Sequence, residues 1–521
     1  MGETLEYPYQ NFYEMIQSNA AQYADKKVIF IDDEKITNAQ LLLDVDRFAS
    51  QLLAAGVKNE DTVALVMPNC YEFVIAMFAI WKLGGVVVPI NNMLKQQEHE
   101  HILKDCRAKV LITSIQFTDE VEELYECTAL QKVIWIDDMP KNHKNYMLFD
   151  YHQTNSNALH VDKGLDELAV IFYTSGTTGD AKGAMLSYKN IFSNMVGGSE
   201  LFKIRTKDRF IVYLPMFHAF TFSIMLMLPI FTRSSVLIIR KLHPFSNILK
   251  QTLLKRVTIF LGVPDVYNAL IRAKLPWYFR WFNSIRIFIS GASALSEDTL
   301  HRYTQTFKRA KMLEGYGLSE CSPGVAVNSP LHQKPYSVGK PLPGYEVKIV
   351  DEEMVEVAPN EIGEIIVRGD CVMRGYLNHS EITKQTIING WLRTGDLAKM
   401  DEEGFIYIVD RIKDLIISKG INIYPRQIEE ALMHLPYIKL AAVIAKKDQH
   451  NGEVPVAFVE LDDGIDPSKI TQSKIKTDLK EKIANFKIPR AVYFVDDLPK
   501  TATGKVLKRV LKERFQQERE N

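Results

Sequence analysis

Eleven consecutive residues, Tyr173-Thr-Ser-Gly-Thr-Thr-Gly-Asp-Ala-Lys-Gly183, combine groups suited to holding an anion. Three glycines let the backbone approach a phosphate, four Ser/Thr hydroxyls can donate to it, and Lys182 supplies a positive charge. The spacing excludes one familiar solution. A Walker loop needs Gly-x-x-x-x-Gly-Lys-Ser/Thr, whereas Gly176 and Gly179 lie three apart and Lys182 precedes Gly183. The apolar run 168–172 reads as a buried strand, and a helix is expected to open near Ser187. Strand, loop and helix in this order suit nucleotide phosphates; a polar linker would rarely gather these residue types.

Four further clusters carry chemistry. Glu314-Gly-Tyr-Gly-Leu-Ser-Glu320 offers the Tyr316 ring to a base, the Ser319 hydroxyl to a phosphate and the Glu320 carboxylate to Mg²⁺. It lacks the third glycine of a dinucleotide-binding turn. Trp391-Leu-Arg-Thr-Gly-Asp396 sets a carboxylate behind a glycine turn, suited to gripping two ribose hydroxyls. Asp410-Arg-Ile-Lys-Asp-Leu-Ile-Ile-Ser-Lys-Gly-Ile-Asn-Ile-Tyr-Pro425 runs from charges through a strand into a loop at Ser418, Lys419 and Gly420. Pro499-Lys-Thr-Ala-Thr-Gly-Lys505 ends on a lysine beyond a flexible turn. Taken singly, each has a plainer reading: Tyr316 as core, Asp396 as a helix cap, Asp410 with Arg411 as a surface ion pair, Lys505 as one more solvated lysine. Five clusters in one order favour the chemistry.

The chain that must position them has 521 residues, room for about three domain-sized units. Its 46% apolar and 24% charged residues are ordinary for a globular protein. A formal net charge of −1 argues against a nucleic-acid partner held by a bulk positive field. Cys70, Cys106, Cys127, Cys321 and Cys371 are scattered without a C-x-x-C pair. That argues against a disulfide or zinc framework and points to a reducing, cytoplasmic setting. The first residues show neither the basic nor the apolar region of a signal peptide. Residues 214–231 are eighteen without a formal charge, near the lower limit for a spanning helix. Pro215, His218, Thr221, Ser223 and Pro229 within them favour a buried helix lining an apolar pocket instead.

Strand-like runs at 62–67, 86–89, 110–113, 133–136, 169–173, 210–214, 236–239, 258–261 and 285–290 alternate with amphipathic stretches such as 71–82, 188–201 and 246–255. The expectation is an α/β fold of layered, mostly parallel sheets. From about 324 to 410 short strands and Gly turns predict a small antiparallel, barrel-like β unit. A last α+β piece follows, ending in a basic helix at 506–514 whose charges are expected to face solvent.

With all five motifs in place, the chain resembles the adenylate-forming superfamily of acyl-CoA synthetases, peptide adenylation domains and luciferases over about residues 12–511. Tyr-Thr-Ser-Gly-Thr-Thr-Gly, Glu-Gly-Tyr-Gly-Leu-Ser-Glu and Pro-Lys-Thr-Ala-Thr-Gly-Lys are most similar to bacterial long-chain fatty-acid–CoA ligases. The resemblance implies an N-terminal domain over 1–410, a hinge at 411–413 and a mobile C-terminal domain over 414–521. It implies that Thr174, Ser175, Gly176, Thr177, Thr178, Gly179 and Lys182 cradle the ATP phosphates. Gly291, Ala292, Glu314, Gly315, Tyr316 and Gly317 would bound the adenine site. Ser319 would contact phosphate, Glu320 with Thr174 would hold Mg²⁺, and Asp396 and Arg411 would bind the ribose. Lys413 becomes the hinge, and Ser418, Lys419 and Gly420 the loop facing coenzyme A. Lys505, Glu320, Lys182 and His218 carry the catalytic roles, with Phe217, His218 and Phe222 at the acyl pocket.

Two departures stand out. The Ser-Gly-Gly-Ala usual before the acyl pocket reads Ser290-Gly-Ala-Ser293, and an early Thr-Tyr reads Thr37-Asn38. The activity implied is ATP-dependent joining of a medium- to long-chain fatty acid to coenzyme A. Transfer to a carrier protein, or an aromatic acid as substrate, are the alternatives on the same fold, and a non-catalytic nucleotide-binding protein the alternative of another class. Monomer or homodimer, and peripheral contact with a membrane, stay open.

Overall fold

Short β-branched runs build the first sheet. Leu168–Thr174, Val86–Pro89, Thr62–Val66, Val110–Thr113, Lys132–Trp135 and Tyr146–Leu148 lie side by side in that order, all parallel. The computed structural model describes residues 5–140, 145–153, 155–174, 181–241, 245–272, 275, 277–291, 297–448, 451–462, 464–501 and 506–520. It divides into two compact units, residues 1–347 with 367–392, and residues 348–366 with 393–521.

The first unit contains a second sheet of nine strands. Its parallel centre runs Lys311–Gly317, Ile287–Ser290, Ile259–Gly262, Arg209–Val212, Ser235–Ile238 and Lys27–Ile31. The α/β alternation read from the sequence is therefore present, and antiparallel strands finish both sheets. The helix Tyr71–Lys82 is apolar on nearly every side and all its residues but Glu72 are buried, as an all-round apolar helix must be. Trp81 from this helix donates to the Ala169 carbonyl of the first sheet at 3.0 Å. Its ring also packs on Phe12 and Phe222, with centroids 4.5 and 6.0 Å away. Burying each such aromatic stabilises the unit by roughly 1.5–3 kcal/mol.

Two expectations need correcting. Between the glycine-rich loop and the helix after it the chain adds a strand, Lys182–Ser187, antiparallel to Leu168–Thr174. Gly183 belongs to that strand: a Cβ there would stand 2.7 Å from Ile171 Cγ2, so the hairpin closes only on glycine. Ser187 does cap the following helix Tyr188–Phe202, accepting from Asn190 N. Secondly, residues 214–231 are not one regular helix. Helix starts at Ala219, passes through π-type geometry over Thr221–Met227 and ends as Leu228–Phe231. All of Thr221–Met227 is buried. Among the described residues no helix is long and apolar enough to cross a membrane.

In the second unit Ile438–Asp448 and Gly452–Leu461 form a long antiparallel hairpin, flanked by Ile416–Ser418 and by the parallel strand Ala491–Phe494. Helices Pro425–Met433 and Gln472–Lys480 cover one core. The terminal helix Lys508–Glu520 covers another through Leu511 and Phe515. Its basic residues are not simply solvated. Lys508 reaches Glu429 at 2.8 Å and Lys512 reaches Asp414 at 3.5 Å.

Candidate active site

The hairpin that frames the glycine-rich loop fixes its two ends. Thr174 stands directly opposite Lys182 in the antiparallel register, and Tyr173 opposite Gly183. Tyr173 is anchored by its hydroxyl, which donates to Asp105 Oδ2 at 2.6 Å; burial and then the neighbouring Cys106 and Asp105 hold that phenol in its protonated, donating form. Ser175, Gly176, Thr177, Thr178 and Gly179, between these ends, lie outside the described residues.

A short strand, Gly375–Tyr376, pairs with the same hairpin, placing Tyr376 opposite Ala184. The Lys182 ammonium lies 5.8 Å from the centroid of the Tyr376 ring. On its other side the Tyr376 hydroxyl donates to Glu320 Oε1 at 2.9 Å. Burial, followed by the Glu320 charge, raises the Tyr376 pKa, so the phenol stays a donor. The Met373 N–H donates to the Glu320 carbonyl at 2.9 Å, and Ser322 Oγ to the Cys371 carbonyl at 2.9 Å, tying the tyrosine's segment to the acidic one. Tyr376 thus links Lys182, at the end of the glycine-rich loop, to the Glu320 carboxylate. Tyr376 escaped sequence reading, because nothing within its own segment marks it.

Glu320 begins where the strand Lys311–Gly317 ends, in the turn Ser319–Cys321. Gly317 is obligatory: a Cβ would fall 2.1 Å from the Pro323 carbonyl oxygen. Tyr316 is half-buried in register with Ala326, Gly315 with Val327, and the buried Glu314 pairs with Ser290 on the next strand. The Glu314 motif and the Ser290-Gly291 motif therefore meet at the same end of adjacent parallel strands. Gly291 faces the Phe220 ring, whose carbons would stand 3.3 Å from an added Cβ. Ala292 lies outside the described residues. His218 turns its Nδ1 toward the Phe220 N–H, which donates to it at 3.3 Å. Phe217 is buried beside it. Phe222 points into the core, edge-on to Phe172 at 5.2 Å.

In the second unit the hairpin Trp391–Met400 with Ile406–Arg411 sets Asp396 opposite Arg411. The buried Asp396 carboxylate forms an ion pair with Arg411, its Oδ1 3.1 Å from Nε. Asp396 is mid-strand and caps no helix; Asp410 is buried and accepts from Arg426 N at 2.8 Å. Gly395 precedes Asp396 at φ 71°, and its N–H donates to Glu364 Oε1 at 3.0 Å. Lys413 sits in the turn Ile412–Asp414, where burial and then the Arg411 charge lower its pKa. Ser418 closes a two-residue hairpin turn at Lys419 and Gly420, both at positive φ, 50° and 77°. The space around Gly420 is open. A bridge between Lys500 and Val506 closes the last loop, and Lys505 within it lies outside the described residues.

Residues 16–377 match the family model of the AMP-binding enzymes, and residues 427–505 match that of the AMP-binding enzyme C-terminal domain. The chain belongs to the AMP-binding enzyme family, the adenylate-forming superfamily. It is 32% identical to the long-chain-fatty-acid–CoA ligase of Escherichia coli O157:H7, covering 97% of this chain and 94% of that one. It is 34% identical to the feruloyl-CoA synthase of an Amycolatopsis species over 92% of this chain and 94% of that one. Among solved structures, the anthranilate CoA ligase AuaEII in complex with anthranoyl-AMP superposes with a TM-score of 0.91 at 28% identity, covering 99% of each chain.

Proposed function

We propose that this AMP-binding enzyme activates a medium- to long-chain fatty acid with ATP and passes it to coenzyme A, releasing AMP and pyrophosphate. The observation that carries this reading is the link Lys182–Tyr376–Glu320, with Thr174 opposite Lys182 at the ends of the glycine-rich loop. A cation and the Thr174 hydroxyl at the ends of the loop, linked through Tyr376 to a fixed carboxylate, suit a metal-complexed triphosphate. The fatty-acid–CoA ligase relatives and the Met, Leu and Phe content of 217–228 support an aliphatic acid.

The donor set fits Mg²⁺. Glu320 and Thr174 offer oxygen only, and no cluster of three or more His, Cys, Asp or Glu stands among the described residues. Mg²⁺ takes few protein ligands and completes its shell from phosphate and water. When bound, it offsets charge developing on pyrophosphate.

A carboxylate is a poor acyl donor because its leaving group would be oxide. Its oxygen instead attacks the α-phosphorus, the bond to the β-phosphate oxygen breaks, and pyrophosphate departs from a mixed anhydride. Residues Thr174 to Lys182 hold the β- and γ-phosphates, and Ser319 adds a hydroxyl. Tyr316, Gly317, Gly315, Glu314, Gly291 and Ala292 bound the adenine. Asp396 accepts from ribose hydroxyls, oriented by Arg411. Lys505 would supply a cation to the carboxylate and the α-phosphate, offsetting the negative charge that gathers as they react. The coenzyme A thiolate then attacks the carbonyl carbon and AMP leaves. Ser418, Lys419 and Gly420 line the thiol's approach, and His218 with Phe217 guards the acyl channel. Turning about Lys413 would exchange Lys505 for Gly420 between the two steps.

An aromatic acid is the second reading, favoured by the 34% identical feruloyl-CoA synthase. Incubation with ATP, Mg²⁺, coenzyme A and a panel of straight-chain and aromatic acids decides between them. Thioester and AMP from long straight chains bear the proposal out. Thioester from aromatic acids alone selects the second reading, and adenylate without thioester selects a carrier-protein acceptor.

A further inference from the structure

Charge is unevenly spread along this chain. Residues 209–286 contain eleven Lys and Arg against a single acid, Asp265, a net of +10 in a protein whose total is −1. Part of that excess surrounds the helix Phe245–Leu254 and the short helix Trp277–Phe282 packed beside it. Lys250, Arg256 and Arg280 are exposed here. So are large apolar side chains: Leu254 is 62% exposed, Tyr278 47%, Trp281 66% and Phe282 67%. Phe279, buried on the same short helix, pins it to the core and leaves those aromatics outward. Four such side chains gathered at one edge mark an interaction surface, unlike apolar residues scattered singly.

A groove of about 450 Å³ adjoins them, lined by Phe30, Leu254 and Gln251, by the cations Lys35, Arg209, Lys250 and Lys255, and by one acid, Asp33. The Arg209 guanidinium lies 3.8 Å from the Phe30 ring centroid, and its buried Nε has no hydrogen-bond partner. Burial and then the nearby Arg256 cation hold Arg209 below its ordinary pKa, so an anion placed here would relieve both. Two exposed acids share this edge, Asp33 at 3.9 Å from Lys255 and Asp32 at 3.0 Å from Arg240, and the cations outnumber them.

We propose that the face formed by Phe245–Leu254 and Trp277–Phe282 seats the protein on an anionic bilayer surface. Trp281, Phe282 and Leu254 enter the interfacial layer, while Lys250, Lys255, Arg256 and Arg280 meet lipid phosphates. A free phosphate would satisfy the cations but leave the exposed aromatics unexplained. Trp and Tyr concentrate at the headgroup level of membranes, and basic clusters beside them are drawn to anionic lipid.

Flotation of the full chain with vesicles of phosphatidylcholine alone, or with phosphatidylglycerol added, tests the assignment without ATP or acid. The expected result is binding about tenfold stronger to the anionic vesicles, weakened by raised salt. Trp281→Ser with Phe282→Ser, and Lys250→Glu with Lys255→Glu and Arg256→Glu, should each lower that binding about tenfold. Each variant is paired with a thermal melt, and Arg280→Glu alone, a single exposed change, repeats the test if either combination melts early. Absence of flotation, equal binding to both vesicles, or a folded variant that floats like wild type overturns the proposal. So does self-association that the aromatic variant abolishes in the absence of flotation, which assigns the face to a second copy. No acid substrate is present, so failure here leaves the ligase reading untouched.

Discussion

The Tyr376 hydroxyl donates to Glu320 Oε1 at 2.9 Å while the same ring lies beside the Lys182 ammonium. One residue therefore touches both the cation at the end of the glycine-rich loop and the carboxylate suited to Mg²⁺. It can do so because Gly375–Tyr376 adds a strand to the hairpin that carries Lys182. Gly375 permits the close approach: at φ 138° a Cβ would stand 2.6 Å from Thr383 Cγ2.

Tyr376→Phe removes the hydrogen bond and keeps the ring. A hydrogen bond to a charged group is worth about 1.5–3 kcal/mol, so acid-dependent pyrophosphate exchange should fall roughly 10- to 100-fold. The Mg²⁺ concentration giving half-maximal rate should rise, because Glu320 loses the partner that aims it. Glu320→Gln should cost more than the tyrosine change. Unaltered exchange and Mg²⁺ dependence in a folded Tyr376→Phe protein would remove Tyr376 from the site.

Asp396→Asn tests the ribose contact proposed for Asp396. The substitution preserves shape but removes the negative charge that Arg411 pairs with at 3.1 Å and that would accept from the ribose hydroxyls. KM for ATP should rise about 10- to 100-fold with kcat nearly unchanged, as expected for uniform binding lost from ground and transition states alike. A fall in kcat at constant KM would place Asp396 at the reacting atoms instead.

The chemistry-bearing segments could be read from sequence because each packs its residues within a few positions. The helix over 71–82 was legible as a helix, but the polar face expected of an amphipathic stretch is missing, since every residue except Glu72 is buried. Tyr376 was not, since it reaches Glu320 through strand pairing across 56 positions of chain. Lys182–Ser187 was missed as a strand because its edge partner comes from residues 375–376, far along the sequence. Lys508 read as a solvated charge, yet Leu511 and Phe515, three and seven positions on, share its helix and are buried in the core. That spacing was a usable signal for a buried face. The π-type geometry over Thr221–Met227 has no signature in composition.

Lys508 offers a stability prediction. Burial pulls its pKa down, but Glu429, Asp410 and Asp414 outweigh burial and leave it raised. Burial raises the pKa of Glu429 despite Lys508. Lys508→Met leaves Glu429 unpaired in the interior, at a cost of about 3–5 kcal/mol when ionised. A carboxyl whose folded pKa is raised binds its proton more tightly folded than unfolded. The variant should therefore lose further stability as pH rises above the ordinary carboxylate range, up to its shifted pKa. Denaturant melts across pH check this: Lys508→Met with Glu429→Gln should flatten the dependence. A loss independent of pH would mean that packing, not charge, explains Lys508.

Lys505 and Gly420 should separate the two half-reactions. If Lys505 supplies the cation proposed for the adenylation step, Lys505→Ala should cut adenylate formation roughly 10²–10³-fold. Thioester formation from synthetic acyl-AMP and coenzyme A should survive. Gly420→Leu should give the opposite result. Space around Gly420 is open within its unit, so a side chain meets no neighbour there, and the positive φ costs about 1–2 kcal/mol in an exposed turn. The protein should fold, catalyse acid-dependent pyrophosphate exchange, and release little thioester, because leucine obstructs the approaching thiol. Asn at 420 tolerates positive φ and is smaller, so Gly420→Asn should restore part of the thioester rate and separate bulk from backbone strain. Equal losses in both half-reactions for Lys505→Ala, or lost exchange with thioester formation intact for Gly420→Leu, would dissolve the division of labour assigned to these two residues.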